Sequence, residues 1–336
     1  MAKVQSRQLV LQRKPEDVPT DDDFVMETVE IGEPGEGEVL VRNMWMSVDP
    51  YQVAMMRFGV FPVGKVPEGR AAGQVVQSGS PHFKPGDYVM HHLAWREYVL
   101  TTADKLEKVV PSAGELRDYI GPLGVTGLTA YVGIFPIGDI KPGESVFVSA
   151  AAGAVGMVAV QLAKAHGCYV VGTAGTDDKC RWLEDVAGID KAINYRTCGD
   201  IHKAIASAFP KGIDVYFDNV AGDQLKAAVN NMNYDGRIAV CGLMSSHTPN
   251  PPVYDNSLLG AVIMKSLKLE GINADRSLHH LDAFRAEMER LVKAGKMKWE
   301  DTYEEGLENA LKAMQGMYKG KNTGKMLVKI GPEEAV

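Results

Sequence analysis

Cysteine is scarce in this sequence, and no two cysteines are spaced as Cys-x-x-Cys. The four are Cys168, Cys180, Cys198 and Cys241, and no histidine cluster accompanies them. This pattern excludes a zinc finger and argues against a disulfide framework. We therefore expect a reducing, cytoplasmic environment for the chain.

The sequence also lacks an excess of positive charge. Its net charge of −7 gives no general attraction to nucleic acid or to an anionic membrane, so we expect neither as a partner. Met1–Leu11 has no long apolar run, and we expect no signal peptide. The uncharged stretch Ser145–Ala163 is rich in small residues, and we interpret it as a buried strand followed by a buried helix.

The 336 residues are enough for roughly two domains. The first 120 or so predict β-strands joined by turns, and from Gly121 onward apolar strands alternate with helices. Six such strands predict an α/β fold with a parallel, doubly wound sheet covered on both faces. They are Ser145–Ser149, Tyr169–Gly172, Ala192–Asn194, Ile213–Asp218, Arg237–Val240 and Leu267–Gly271.

The end of the chain predicts a return to the β-rich domain. Lys325–Ile330 alternates between apolar and polar residues, as a half-buried strand does. We therefore predict a discontinuous first domain, residues 1–122 with 313–336, around a dinucleotide-binding domain of residues 123–312.

A glycine-rich loop, Ser149–Gly156, follows the first apolar strand and opens a helix. It is a variant of the dinucleotide fingerprint, in which Ala151 begins a tight turn, Gly153 lets a pyrophosphate approach and Gly156 lets helix and strand pack. Ala154 and Val155 complete the loop. The helix N-terminus offers N–H groups and partial positive charge to the anion.

The residues after the next two strands favour NADP over NAD. No carboxylate ends the strand before Gly175, where one would bind the ribose 2′-hydroxyl of NAD. Lys179 follows on the next helix, and Tyr195 and Arg196 follow the third strand. Asp177 and Asp178 oppose this reading, although we expect them to cap the helix.

The first domain lacks the ligands of a zinc site. It has no cysteine, and the stretch Gly69–Gly73 stands where zinc alcohol dehydrogenases carry a Gly-His-Glu motif. Its only histidines are His82, His91 and His92, of which two are adjacent and point oppositely in a strand. Three suitable ligands are needed, so we expect no metal.

Nearly the whole chain resembles the zinc-independent, NADPH-dependent alkenal/one reductases of the medium-chain dehydrogenase/reductase superfamily. That group includes leukotriene B4 dehydrogenase/prostaglandin reductase and the curcumin reductases. The resemblance implies a doubly wound Rossmann sheet with a GroES-like β-rich domain, and a homodimer. The segments that carry it are Ser47–Tyr51, Phe83–Val89, Gly127–Tyr131, Ala150–Gly156, Val171–Gly175, Asn194–Tyr195, Phe217–Gly222, Gly236–Gly242, Glu305–Asn309 and Lys319–Lys325.

The resemblance also implies roles for individual residues around NADPH. Gly153–Gly156 would bind the pyrophosphate, and Lys179 and Tyr195, beside Gly175, would hold the 2′-phosphate. The other residues would lie along the cofactor or line its nicotinamide half. They are Asn219, Cys241, Gly242, Met244, Ile272, Asn273 and Asn322.

The implied reaction is reduction of the carbon–carbon double bond of an α,β-unsaturated ketone or aldehyde, with hydride added to the β-carbon and an enolate formed. Tyr51 would face the substrate. Many relatives carry a second tyrosine where this chain has Met264, and Tyr254 is a loosely aligned alternative from a loop. Two other functions stay open: an NADPH-dependent quinone reductase, and an NADPH-binding protein without turnover.

Overall fold

The computed structural model describes residues 3–247 and 256–332. The chain forms two compact units. One comprises Met1–Gly121 with Asp301–Val336, and the other comprises Pro122–Glu300. The first unit is therefore discontinuous in sequence. Its second segment begins earlier than the predicted return at residue 313.

Fifteen strands are formed by the described residues. In chain order they are β1 Val4–Leu11, β2 Phe24–Ile31, β3 Glu38–Ser47, β4 Ala71–Ser78, β5 Tyr88–His91, β6 Tyr98–Thr102, β7 Glu107–Val109, β8 Ser145–Val148, β9 Tyr169–Ala174, β10 Lys191–Asn194, β11 Ile213–Asp218, β12 Met232–Val240, β13 Lys268–Gly271, β14 Asp301–Glu305 and β15 Lys325–Lys329.

The α-helices of the described residues lie mostly between strands of the second unit. In chain order they are α1 Pro50–Arg57, α2 Val125–Val132, α3 Gly156–Ala165, α4 Asp177–Asp185, α5 Ile201–Ala208, α6 Gly222–Asn231, α7 Asn256–Lys265, α8 Leu281–Lys293 and α9 Ala310–Tyr318. A single π-helical stretch, Gly133–Ile137, continues α2.

The second unit is built on a six-stranded parallel sheet in the order β10-β9-β8-β11-β12-β13. The strand order reverses between β8 and β11, which is the switch point of a doubly wound fold. All residues of β8 are buried, as expected for a strand covered on both faces. The predicted sheet is confirmed. Ligands of such sheets bind beyond the carboxyl ends of the strands near this point.

The first unit holds a seven-stranded sheet and the separate β1–β2 pair. Strand β15 lies between β14, which it pairs in parallel, and β3, which it pairs antiparallel. Because β14 joins this sheet, the chain returns to the first unit at Asp301. The predicted β-rich N-terminal domain is confirmed. One of its cores packs α1 and α9 against strands β1, β3 and β15, and it contains Leu11, Met46, Val53, Trp95, Met314 and Val328.

Candidate cofactor site

The glycine loop joins β8 to α3 in a conformation that requires glycine at its end. A Cβ on Gly156 would lie 2.4 Å from the Ala150 carbonyl oxygen and 2.8 Å from the Ala151 Cα. The Ala151 amide donates to the Thr173 carbonyl of β9 at 2.8 Å, which fixes the turn to the neighbouring strand. At Gly153 a Cβ would meet only the Ala150 oxygen, at 3.2 Å. The N-terminus of α3 is thus held at the carboxyl end of the sheet, where it suits a pyrophosphate.

Asn219 lies against this loop. Its side-chain amide donates to the Ser149 carbonyl at 2.8 Å, and its backbone N–H donates to the Ser149 hydroxyl at 2.9 Å. Since Ser149 directly follows β8 and Asn219 directly follows β11, these bonds join the two strands that flank the switch point.

The segment after β12 packs on the same turn. A Cβ on Gly242 would lie 2.8 Å from the Asn219 carbonyl oxygen, and the Met244 amide donates to that oxygen at 3.4 Å. The neighbouring Cys241 thiol has a pKa raised to about 12, first by burial and then by the charge of Asp218. A thiol with this pKa stays protonated and unreactive near neutral pH.

Ile272 and Asn273 follow β13. The Ile272 amide donates to the Val240 carbonyl at 2.9 Å, which sets this segment beside the end of β12. The Asn273 side-chain oxygen accepts from the Arg276 amide at 3.2 Å. The residues predicted after β8, β11, β12 and β13 therefore stand at the carboxyl ends of adjacent strands.

A cationic group lies at the carboxyl ends of β9 and β10. Tyr195 and Arg196 both cover Gly175, where a Cβ would lie 2.9 Å from the tyrosine oxygen and 3.4 Å from the arginine Nε. The Arg196 guanidinium stands 5.8 Å from the centre of the Tyr195 ring. Burial, and then the charge of Arg196, lower the pKa of Lys179. Two cations brought together in this way suit a dianionic phosphate.

The acids beside Lys179 are engaged elsewhere. Asp177 accepts from the Asn194 side-chain amide at 2.6 Å, and Asp178 forms an ion pair with Arg181. The helix cap that we predicted for these acids is instead Thr176, whose hydroxyl accepts from the Lys179 backbone N–H. Neither acid therefore argues for NAD in the way that the sequence suggested.

The remaining residues named from the sequence lie in the first unit, on α7 or outside the described residues. Tyr51 is in the first turn of α1 and is 38% exposed. Asn322 precedes β15, and its side-chain amide donates to the Gly324 carbonyl at 2.7 Å. Tyr254 lies outside the described residues. Met264, on α7, is exposed.

Sequence reasoning missed two buried charged residues, Asp218 at the end of β11 and Lys325 at the start of β15. Both fall inside predicted strands and inside segments that resemble the family, but neither residue received a role of its own from the sequence. The available signal was a charged side chain at the edge of an apolar strand, and it is a weak one because most such residues lie in solvent.

Two family descriptions match the chain. Residues 7–109 match an N-terminal domain of oxidoreductases, and residues 154–293 match a family described as zinc-binding dehydrogenase. The chain is 35% identical to the NADPH-dependent curcumin reductase of Escherichia coli, with 99% of each chain covered. It is 36% identical to the 2-alkenal reductase (NADP(+)-dependent) of Nicotiana tabacum, with 98% of this chain and 99% of the other covered.

A solved structure is also similar to this chain over nearly its whole length. CurA of Vibrio vulnificus in complex with NADPH is 32% identical, with a TM-score of 0.90, 97% of this chain covered and 99% of that one. The chain belongs to the alkenal, prostaglandin and curcumin reductase group of medium-chain dehydrogenases/reductases. This reductase is an NADP-dependent oxidoreductase, and its cofactor is NADPH.

The described residues hold neither a group of metal ligands nor a helix that could span a membrane. Within residues 3–247 and 256–332, no three histidine, cysteine or acidic side chains are grouped so that they could hold a metal ion. Over the same ranges, the reductase has no helix with both the length and the apolar character needed to span a membrane.

Proposed function

We propose that this reductase reduces the carbon–carbon double bond of α,β-unsaturated ketones or aldehydes. The observation that carries the proposal is the alignment of the predicted cofactor residues at the carboxyl ends of β8, β9, β10, β11, β12 and β13, in a chain whose relatives include a 2-alkenal reductase and a curcumin reductase. NADPH supplies the hydride, which adds to the β-carbon of the substrate.

The protein's residues have four tasks in this proposal. The loop residues Gly153, Ala154 and Val155, with Gly156 at the start of α3, bind the pyrophosphate, and Lys179 and Tyr195 at Gly175 bind the 2′-phosphate. The other cofactor residues position the nicotinamide half; they are Asn219, Cys241, Gly242, Met244, Ile272, Asn273 and Asn322. Hydrogen-bond donors at the carbonyl oxygen stabilise the enolate charge. Tyr51 faces the substrate, with water or Tyr51 as proton donor to the α-carbon; Tyr254 is the second candidate.

The proposed reaction is tested with a deuterium label on the cofactor. Reductase assayed with 4-deuterated NADPH and short-chain or long-chain enones should give saturated products with deuterium on the β-carbon, read by NMR, and EDTA should leave the rate unchanged. NADH should be a much poorer donor. Label on the carbonyl carbon, or a rate that EDTA abolishes, would contradict the proposal.

Two outcomes of the same assay favour the other candidates. Oxidation of NADPH by 1,4-naphthoquinone but by none of the enones would favour a quinone reductase. Tight binding of NADPH with no turnover of any enone or quinone would favour a binding protein without catalysis. The cytoplasmic location stays a prediction from the cysteine pattern.

We also propose that the reductase is a homodimer joined through β13. This strand is the edge of the six-stranded sheet, and all four of its residues are exposed. The helix that precedes this strand, α7, carries three exposed apolar side chains: Leu259, Ile263 and Met264. Antiparallel pairing of two β13 strands about Leu269 places Lys268 of each chain opposite Glu270 of the other, so the edge is complementary to itself.

A charge exchange tests this interface. Lys268→Glu should raise the dimer dissociation constant at least about tenfold, because two like-charged pairs then face each other. Adding Glu270→Lys should restore the dimer, and Lys203→Glu, at an exposed position of α5, is the matched control. Sedimentation equilibrium measures the constant. A monomeric wild type, or a Lys268→Glu variant that associates as the wild type does, would contradict the interface.

A further inference from the structure

Asp218 is a fully buried carboxylate at the carboxyl end of β11. Its Oδ1 accepts four hydrogen bonds: from the Tyr216 hydroxyl and the Ala221 amide at 2.7 Å each, from the Val220 amide at 2.9 Å and from the Ser149 hydroxyl at 3.2 Å. One oxygen atom therefore ties the end of β8 to the turn that follows β11.

The backbone oxygen of Asp218 holds a third segment. It accepts from the Cys241 amide at 2.8 Å and from the Gly242 amide at 3.0 Å. Asp218 is thus bonded to residues that follow three adjacent strands. These are β8 and β11, which flank the switch point, and β12, which pairs with β11. Three of the proposed nicotinamide-side residues are bonded to Asp218 or adjacent to it in sequence: Asn219, Cys241 and Gly242.

The turn that Asp218 holds contains a strained residue. Ala221 has φ +64° and ψ −149°, a region that residues with a Cβ rarely adopt. Such a conformation is strained and persists only where the surroundings determine it. The 2.7 Å bond from the Ala221 amide to Oδ1 is one such determinant. It also places α6, which begins at Gly222, at the end of this turn.

The second carboxyl oxygen of Asp218 is buried and has no hydrogen-bond partner among the described residues. Burial raises the pKa of Asp218, although the four donors on Oδ1 act in the opposite direction. A neutral side chain with one accepting oxygen meets the needs of this position. Asparagine has that form and nearly the same shape.

We infer that Asp218 is a positioning residue for the nicotinamide half of the cofactor site, acting through Asn219 and through Cys241–Gly242. This inference rests on the proposed roles of those residues. Asp218 itself need not touch the cofactor, because its bonds fix the backbone from which Asn219 projects. The hydrogen bonds of Asp218 described above go to Ser149, to its own strand and turn, and to Cys241–Gly242, and these residues lie apart in sequence from the adenine half at Lys179 and Tyr195.

The test compares two ligands on the same variants. NADPH spans both halves of the proposed site, whereas 2′,5′-ADP occupies only the adenine half. Asp218→Ala should raise the dissociation constant of NADPH by about tenfold or more and change that of 2′,5′-ADP by less than about threefold. Asp218→Asn, which keeps the accepting oxygen, should bind both ligands within about threefold of the wild type. Titration calorimetry of the apo protein measures both constants.

Asp214 supplies the matched control. It lies on β11 near the opposite end, where it accepts from the Ser145 amide at 2.8 Å and from the Asn233 side chain at 2.7 Å. Asp214→Ala should lower the thermal midpoint but leave both dissociation constants unchanged. Asp218→Ala binding NADPH as the wild type does, or losing affinity for both ligands equally, would overturn the inference.

Ser149→Ala keeps the inference testable if Asp218→Ala does not fold. The Ser149 hydroxyl donates to Asp218 and accepts from the Asn219 amide, so its removal should weaken NADPH binding by about threefold to tenfold and leave 2′,5′-ADP unaffected. An unchanged NADPH constant in Ser149→Ala would overturn the inference. A wild type that binds neither ligand would instead overturn the proposed cofactor residues.

Discussion

Replacing Lys325 with alanine is expected to lower the free energy of unfolding by about 3–5 kcal/mol, because it removes a buried ammonium and its hydrogen bonds and deprives the largely buried Asp49, 18% exposed, of its ion-pair partner. The Lys325 side chain is 3% exposed. Its ammonium donates to the carbonyls of Val48 at 2.8 Å and Met326 at 2.9 Å, and it lies 3.1 Å from a carboxyl oxygen of Asp49. Chemical denaturation followed by circular dichroism measures the loss.

Asp49 is the group that loses its ammonium partner in that variant, and it keeps the Ser47 hydroxyl and the charge of Arg70. Burial alone would raise its pKa, but the Lys325 ammonium and then the Ser47 hydroxyl hold the pKa of Asp49 below its usual range. Asp49 also precedes α1 and Tyr51, and its backbone N–H donates to the Gln52 side chain at 3.0 Å. Loss of Lys325 should therefore disturb the start of α1 as well as stability.

The control for this prediction is another lysine of the first unit. Lys312 is exposed on α9 and pairs with Glu304 at 2.7 Å, and exposed ion pairs contribute little. Lys312→Ala should therefore cost far less than Lys325→Ala. Equal losses in the two variants would contradict the assignment of Lys325 as a structural charge. The double variant Asp49→Ala with Lys325→Ala should lose less than the sum of the single changes, because the pair is coupled.

Lys179→Ala is expected to weaken NADPH binding by about tenfold to one hundredfold and to leave NADH binding unchanged. Hydrogen bonds to charged groups contribute roughly 1.5–3 kcal/mol, and 1.4 kcal/mol is a factor of ten in affinity. Only NADPH carries the 2′-phosphate. Fluorescence titration with both nucleotides measures the change in preference.

The control and the pH dependence sharpen this prediction. Arg181→Ala lies on the same helix but removes an exposed cation that is paired with Asp178, so the nucleotide preference should persist.

Since burial and Arg196 lower the pKa of Lys179, NADPH affinity should fall as the pH rises through that lowered value, and NADH affinity should not. A preference that survives in Lys179→Ala would place the 2′-phosphate elsewhere.

The parallel sheet could be predicted from the sequence because its strands are short apolar runs between helices. Strand β12 was harder. The sequence predicts that this strand begins at Arg237, because Asn233–Gly236 has the composition of a turn. In the structure the strand begins at Met232. Strand β14, Asp301–Glu305, is polar and gives no local signal, because its pairing with β15 comes from the tertiary fold.

The residues of the candidate site also form two groups, those that the sequence predicts and those that it does not. The glycine loop and Lys179 follow from motifs in which each residue type has a local physical reason. Asp218 and Lys325 do not, because their importance depends on partners distant in the sequence: Ser149 for one, and Val48 and Asp49 for the other. A buried charge is identified by what surrounds it, and a single sequence does not contain that information.

The position of β15 has a consequence for synthesis on the ribosome. When residue 300 has been added, every residue of the second unit has been made, whereas the first unit still lacks a strand that lies between β14 and β3. Domains generally fold as units during translation. Residues 1–121 are therefore made before the second unit, but their sheet is completed only after it. A nascent chain truncated before Lys325 exposes the apolar surface that Met326 and Val328 cover in the finished protein.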